Sequence, residues 1–115
     1  MICILGFYKR KAGLTHEQFL RHWRDVHALL AMNTPSLARH IRKYVQHHLE
    51  EAPIMPHVES LPYDGFSETW CDSLEDYKAM RAEPEFKELM HPDVDLFIDL
   101  SASRVMMYDH PVVIK

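Results

Sequence analysis

Glycine is scarce in this chain. Gly6, Gly13 and Gly65 are scattered, and no glycine-rich loop is present to cradle a phosphate. Cysteine is scarcer: Cys3 and Cys71 each sit inside a strand-like run, so a disulfide framework is not expected. No apolar run approaches the ~20 residues that a membrane-spanning helix needs. The opening MICILGFYKRK places its charges after its apolar residues, the reverse of a secretory signal. A basic block is also missing. The densest one, YKRK at 8–11, reads as a solvated loop, and the formal net charge is −4. Neither nucleic acid nor an anionic membrane is therefore an expected partner, and the expected location is cytoplasmic. No GxSxG elbow and no HExxH occurs, and neither cysteine has a histidine near it in sequence. Nucleotide-dependent and covalent chemistries lack support, and neither a metal nor a cofactor is expected.

What the chain does have is core-forming material. At 115 residues, 47% hydrophobic and 26% charged, it reads as one globular domain over 1–115. ICILGFYK (2–9) is apolar on both faces, as a central strand is. KAG breaks it, and Thr15 with Gln18 forms a capping box for a helix. Phe19, Trp23, Val26, His27 and Leu30 follow at helical spacing and are expected to face a sheet. Pro35 ends that helix near Asn33 or Thr34. Residues 40–49 read as a second strand. The proline-rich 50–65 reads as a long loop of the kind that covers a site. A third strand is expected at 66–72, followed by a helix capped by Ser73 with Asp76. Pro84 restarts a helix at PEFKELM. HPDVDLFIDLS is ambiguous, 103–110 reads as a last strand, and PVVIK as a tail that pairs across an interface. The order β-α-β-β-α-β is that of a ferredoxin-like split βαβ sandwich, an α+β fold with its helices on one face. The other face needs a cover, and a twofold homodimer, sheet to sheet, is the simplest one.

Three features could carry chemistry. His27 stands on the apolar stripe of the first helix. Burial lowers the pKa of such an imidazole and keeps it neutral. It is then either a core histidine tied to a backbone carbonyl or, beside a cavity, a general base. Strand 40–49 divides into His40, Arg42, Tyr44, Gln46 and His48 on one face and Ile41, Lys43, Val45, His47 and Leu49 on the other. If the first set looks inward it lines a polar cavity. His47 and His48 point oppositely and cannot chelate one metal together. Glu68 lies between Phe66 and Trp70 on one strand face. There it is either a partly desolvated acid with a raised pKa or a rim ion pair at a dimer contact.

The runs GFYKRKAGLTHEQFLRHWRDVHALLA, RKYVQHHL, YDGFSETWCDSLEDYKA and LFIDLSASRVMM together resemble the EthD-domain family across nearly the whole chain. Trp23, Arg24 and His27 carry most of the likeness. Tyr44 to His48 and Gly65 to Trp70 support it. The resemblance implies a dimeric α+β barrel with relatives that include cofactor-free isomerases, decarboxylases and dehydratases. It implies a role near the reacting proton for His27. In one departure, Ala28 and Leu29 stand where relatives commonly have glycine and proline, which should prolong the helix. The function expected is a cofactor-independent acid/base enzyme, an isomerase, cyclase, dehydratase or decarboxylase. It would work through an enolate on a hydrophobic polyketide-derived or lactone small molecule. A cofactor-free monooxygenase of an anthrone or hydroquinone is one alternative, a non-catalytic binding protein another. His27, His48 and Glu68 are the catalytic candidates. Tyr44, Trp23, Phe66 and Trp70 are the substrate-binding candidates.

Overall fold

A computed structural model describes residues 1–51 and 53–115. The elements are β1 (Ile2–Tyr8), α1 (16–32), α2 (Pro35–Ala38), β2 (Lys43–His48), β3 (Gly65–Cys71), α3 (Leu74–Ala82), α4 (86–97), a 3-10 turn (Leu100–Ala102) and β4 (Arg104–Tyr108). The four strands form one antiparallel sheet in the order β2-β3-β1-β4, so the expected central strand β1 is central. This is the ferredoxin-like α+β fold. No helix among the described residues is long and apolar enough to cross a membrane.

Local chemistry sets the element boundaries. The Thr15 hydroxyl accepts from the Gln18 amide while the Gln18 side chain accepts from the Thr15 amide, closing the capping box. Ser73 caps α3 through the Asp76 amide. Pro35 opens the short α2 at its first turn, the place a helix tolerates proline. Gly13 turns the chain between β1 and α1 with φ 94.

Residue pairing assigns each side chain to a face. Ile4, Thr69 and Tyr44 stand in one row toward the helices, and Gly6, Ser67 and Gln46 in the next. Leu5, Glu68, Val45 and Met106 share a row on the opposite face, as do Phe7, Phe66, His47 and Arg104. The core lies on the helix side. Phe19, Trp23, Phe97 and Ile98 form one cluster, and Leu37, Met80 and Met90 another. Each such side chain removed from water contributes about 1.5–3 kcal/mol. Trp23 reaches the sheet because residue 65 is glycine. A Cβ there would stand 2.5 Å from the indole and 2.7 Å from the His47 carbonyl oxygen.

Four expectations need correction. The middle of α1 is a π turn, Trp23–His27, between regular segments His16–His22 and Ala28–Met32. A π turn holds more residues than a regular one. The apolar stripe shifts: Trp23 and His27 stay on the sheet side, but Val26 comes out to 41% exposure. The second strand begins at Lys43, not residue 40, because His40 is held by Asp76 and Glu83, and Arg42 by Asp72. The ambiguous 91–101 segment holds the regular helical part of α4, His91–Phe97, with proline in its first turn, then leaves the helix at Ile98 and enters the 3-10 turn at Leu100. Among its described residues, the loop 50–65 does not line the cavity described below. Its end is pinned by buried Asp64, which accepts from the Arg10 amide and guanidinium and from His16, and Leu61 and Tyr63 lean toward the open sheet face beside Phe7.

Candidate active site

The π turn brings His27 over the sheet, and α4 brings Asp93 up to meet it. His27 Nδ1 lies 2.9 Å from one Asp93 oxygen, and His22 Nε2 lies 2.8 Å from the other. Asp93 is 6% exposed. As an ionised carboxylate it accepts an N–H from each ring, the arrangement that makes burying it tolerable. Phe97 packs against both imidazoles, at 4.6 Å from His22 and 5.2 Å from His27. Burial pushes the His27 pKa below its ordinary value. The Asp93 hydrogen bond opposes that without overcoming it, and His22 adds to the depression. With Nδ1–H committed to Asp93, the lone pair is on Nε2, which has no hydrogen-bond partner among the described residues, and His27 lines a cavity.

That cavity holds about 200 Å³ between α1, α3, α4 and the sheet. Its walls are mostly apolar, including Ala28, Met32, Leu37, Met80 and Met90, with Tyr8, Tyr44, Ser67 and Thr69 on the sheet floor. A largely apolar hollow with a few convergent polar groups is the usual form of a small-molecule site. The Tyr44 hydroxyl accepts from Gln46 Nε2 at 3.2 Å, so its own O–H is free to donate into the cavity. Burial pushes the Tyr44 pKa up to about 12, keeping the phenol protonated.

The other expected site residues fall in different places. Trp23 forms both core and cavity wall. His48 shares the Tyr44 face of β2 but lies at the exposed sheet edge, outside the cavity lining. It stacks on Trp23 at 5.3 Å and contacts Gln46 Oε1 at 3.0 Å, so it reaches Tyr44 only through Gln46. Phe66, Glu68 and Trp70 point to the opposite side of the sheet from His27 because side chains alternate along β3. There Glu68 is bound to His47 at 2.5 Å and accepts from the Trp70 indole N–H at 3.0 Å. The His47 bond holds the Glu68 carboxyl below its ordinary pKa against the opposing effect of burial, the reverse of the expected rise. Within one chain, Glu68 cannot act on a molecule beside His27.

Asp93 and His22 were missed from the sequence, as were Tyr8, Ser67 and Thr69. Asp93 lies in the segment whose fold could not be read. A carboxylate one residue after a helix-starting proline was the available signal. His16, Glu51 and Asp64 also come together, with ligand atoms within 4.8 Å of one another. Their oxygens are already engaged by Arg10, and the His16 ring bridges Asp64 and the Leu49 carbonyl. This cluster is an ion-pair clamp on the loop end, not an open set of donors.

Residues 11–101 match the EthD domain. The chain belongs to this family. The chain is similar to the dehydratase ustZ of Ustilaginoidea virens, 27% identical over 111 residues, covering 90% of this chain and 78% of that protein. The decarboxylase nsrE of Aspergillus novofumigatus is 29% identical over 115 residues, covering 90% and 74%. The chain is also similar in fold to an EthD family protein of Bacillus halodurans, with TM-score 0.70, 18% identity and coverage of 96% and 99%. A dimeric protein of unknown function from Bacteroides fragilis gives TM-score 0.61, 14% identity and 95% coverage of both chains. The relatives of this EthD protein thus include proteins named as a dehydratase and a decarboxylase.

Proposed function

We propose that this EthD protein is an acid/base enzyme that passes a hydrophobic, carbonyl-bearing small molecule through an enolate, with His27 as its base. One observation carries the reading: His27 lines the cavity with Nδ1 held by Asp93 and Nε2 without a partner among the described residues. The Nε2 lone pair takes a proton from carbon next to the substrate carbonyl. The electron pair of that C–H bond moves to the carbonyl, whose oxygen becomes an enolate oxygen. The Tyr44 O–H donates to that oxygen. Asp93 stabilises the imidazolium formed. The proton then returns, either to a different carbon, giving isomerisation, or to a departing β-hydroxyl, giving water and dehydration. In a decarboxylation, His27 takes the proton of a β-keto acid's carboxyl, the C–C bond pair moves to the ketone as CO₂ leaves, and the imidazolium returns that proton to carbon. A placed acid/base group contributes typically 10²–10⁴-fold. Tyr44, Ser67 and Thr69 in the same cavity support catalysis over simple carriage, since a carrier needs no polar group beside the imidazole. Polyketide-derived rings and lactones are the substrate types proposed.

The test is hydrogen exchange at the α-carbon of 2-tetralone in D₂O, followed by NMR. Exchange catalysed by the wild type and lost on His27→Gln is the expected result. Full exchange by the variant overturns the mechanism.

A second copy of the chain is proposed to cover the open sheet face. Leu5, Val45 and Met106 share a row there, with Met106 52% exposed. Val112, Val113 and Ile114 of the tail are exposed as well. Light scattering should report a dimer for the wild type and a monomer for Met106→Asp. A wild-type monomer at micromolar concentration would remove this part.

A further inference from the structure

The arginines of this protein divide sharply by partner. Arg10 pairs with Asp64 and Glu51, Arg21 with Glu17, Arg24 with Asp25, Arg39 with Glu83 and Arg42 with Asp72. Arg104 donates to the carbonyls of Ser101 and Ser103. Arg81 differs. It stands in the last turn of α3 and borders the His27 cavity, with no carboxylate oxygen within 4.0 Å among the described residues. In a chain with 17 acidic and 13 basic residues, Arg81 combines the lack of an acid partner among the described residues with a place on the cavity wall, which Arg104 does not have.

Its position is nevertheless defined. The guanidinium carbon lies 4.9 Å from the Phe86 ring centre and 5.9 Å from that of Tyr77. Nη1 donates to the Tyr77 hydroxyl at 3.3 Å. His91 packs edge-on against the same Phe86 ring at 5.2 Å. Tyr77, Arg81, Phe86 and His91 all line the cavity. Aromatic faces hold a guanidinium without consuming its in-plane donors. They leave a planar fork, suited to two parallel hydrogen bonds with a carboxylate. Arg81 is itself exposed, which places the fork at the mouth of the cavity rather than in its interior.

We infer that Arg81 is a specificity-determining residue that pairs with a carboxylate on an otherwise apolar ligand, whose body fills the cavity toward His27. This rests on the reading of the cavity as a substrate site and adds what the substrate must carry. An uncharged ketone or lactone would leave the fork hydrated and gain nothing from it. The pairing selects acids and fixes which end of the molecule enters first.

The experiment compares 2-naphthoate with 2-naphthamide, which share a ring system and differ in charge, by NMR titration of the full chain at low salt. The wild type should bind naphthoate about 5-fold more tightly than the amide, the scale of one partly exposed ion pair. Arg81→Gln should erase that preference, weakening naphthoate more than the amide. Arg81→Lys should restore part of it. Equal binding of the two probes by the wild type, or a preference that survives in Arg81→Gln, overturns the inference. The His27 ring signals report separately. Naphthoate preference that depends on Arg81 but leaves those signals unmoved upholds the carboxylate anchor and counts against His27 as the base.

Discussion

Nδ1 of His27 lies 2.9 Å from Oδ2 of Asp93, and this one contact gives the imidazole its orientation and its tautomer. Asp93→Asn keeps the shape but removes the charge and permits the amide to present N–H groups to the ring. The lone pair would then no longer be fixed on Nε2. A fall of at least about 10²-fold in the exchange rate is expected, comparable to loss of a placed acid/base group. Circular dichroism should show the fold retained. Undiminished exchange in this variant would mean that Asp93 only fills space.

Acidification provides a second check. Burial holds the His27 pKa below 6.5. The basic form therefore persists on acidification past the point where a free imidazole would be half protonated. Activity should be flat above pH 6.5 and fall below it, as Nε2 gains a proton. Stability follows the same sign. The unfolded chain binds this proton more readily, so the contribution is present above pH 6.5 and lost as pH falls through the folded value. A kcat/KM profile with an acid limb above pH 6.5 would contradict the burial argument.

Tyr44→Phe separates oxygen stabilisation from folding. Tyr44 lines the cavity and its hydroxyl accepts from Gln46, so loss of that oxygen leaves the apolar packing intact. A 10²–10³-fold loss of rate is expected, the scale of one donor at a developing oxyanion. The melting temperature should change little. Because the phenol titrates only at about 12, no alkaline limb from Tyr44 should appear below pH 10.

Gly65→Ala tests the seat of Trp23. The added carbon meets the indole at 2.5 Å and a backbone oxygen at 2.7 Å, and the backbone cannot swing away as a flexible side chain does. Overpacking of this kind costs about 1–3 kcal/mol. Chemical denaturation monitored by tryptophan fluorescence measures it. An unchanged midpoint would show that the α1–sheet spacing is not set here.

Asp64→Asn should loosen the loop end. Asp64 is 2% exposed and accepts from Arg10 and His16. Burial raises its pKa, but these donors outweigh burial and the net shift is downward. Removing one member of a buried charged network costs about 3 kcal/mol. In the wild type this contribution is present above pH 3.8 and lost as pH falls through the folded value. Denaturation midpoints of the wild type and variant should converge in strong acid, and a constant gap would argue against the ionised carboxylate as the source.

Much of the architecture was readable before any coordinates. Thr15 and Gln18 announce a helix start through reciprocal bonds that depend only on neighbours in sequence. Pro35 ends a helix for the same local reason. The period-two pattern of 44, 46 and 48 placed Tyr44 and Gln46 on one face together, because alternation along a strand follows from the backbone alone, but that this face meets the helices was left to the tertiary structure. Three features resisted. The π turn at Trp23–His27 has no composition of its own and arises from fitting Trp23 against Gly65 while Gln46 binds the Trp23 carbonyl. Asp93 joins His27 across 66 residues, a distance over which no spacing rule operates. Glu68 was assigned to chemistry by its aromatic neighbours, but which face of β3 meets the helices is set by pairing with β1 and β2.

The linear chain by itself determined the βαββαβ order, the helix caps, the alternating faces of the strands and the presence of His27 on an apolar stripe. Each of these follows from interactions within a few residues. Only the tertiary structure decided that His27 lines a cavity, that Asp93 rather than Glu68 is its partner, and that Arg81 borders the same cavity with no carboxylate beside it among the described residues. Those outcomes depend on how α1, α3 and α4 settle on one side of a sheet, and that settlement is fixed by packing among residues far apart in sequence.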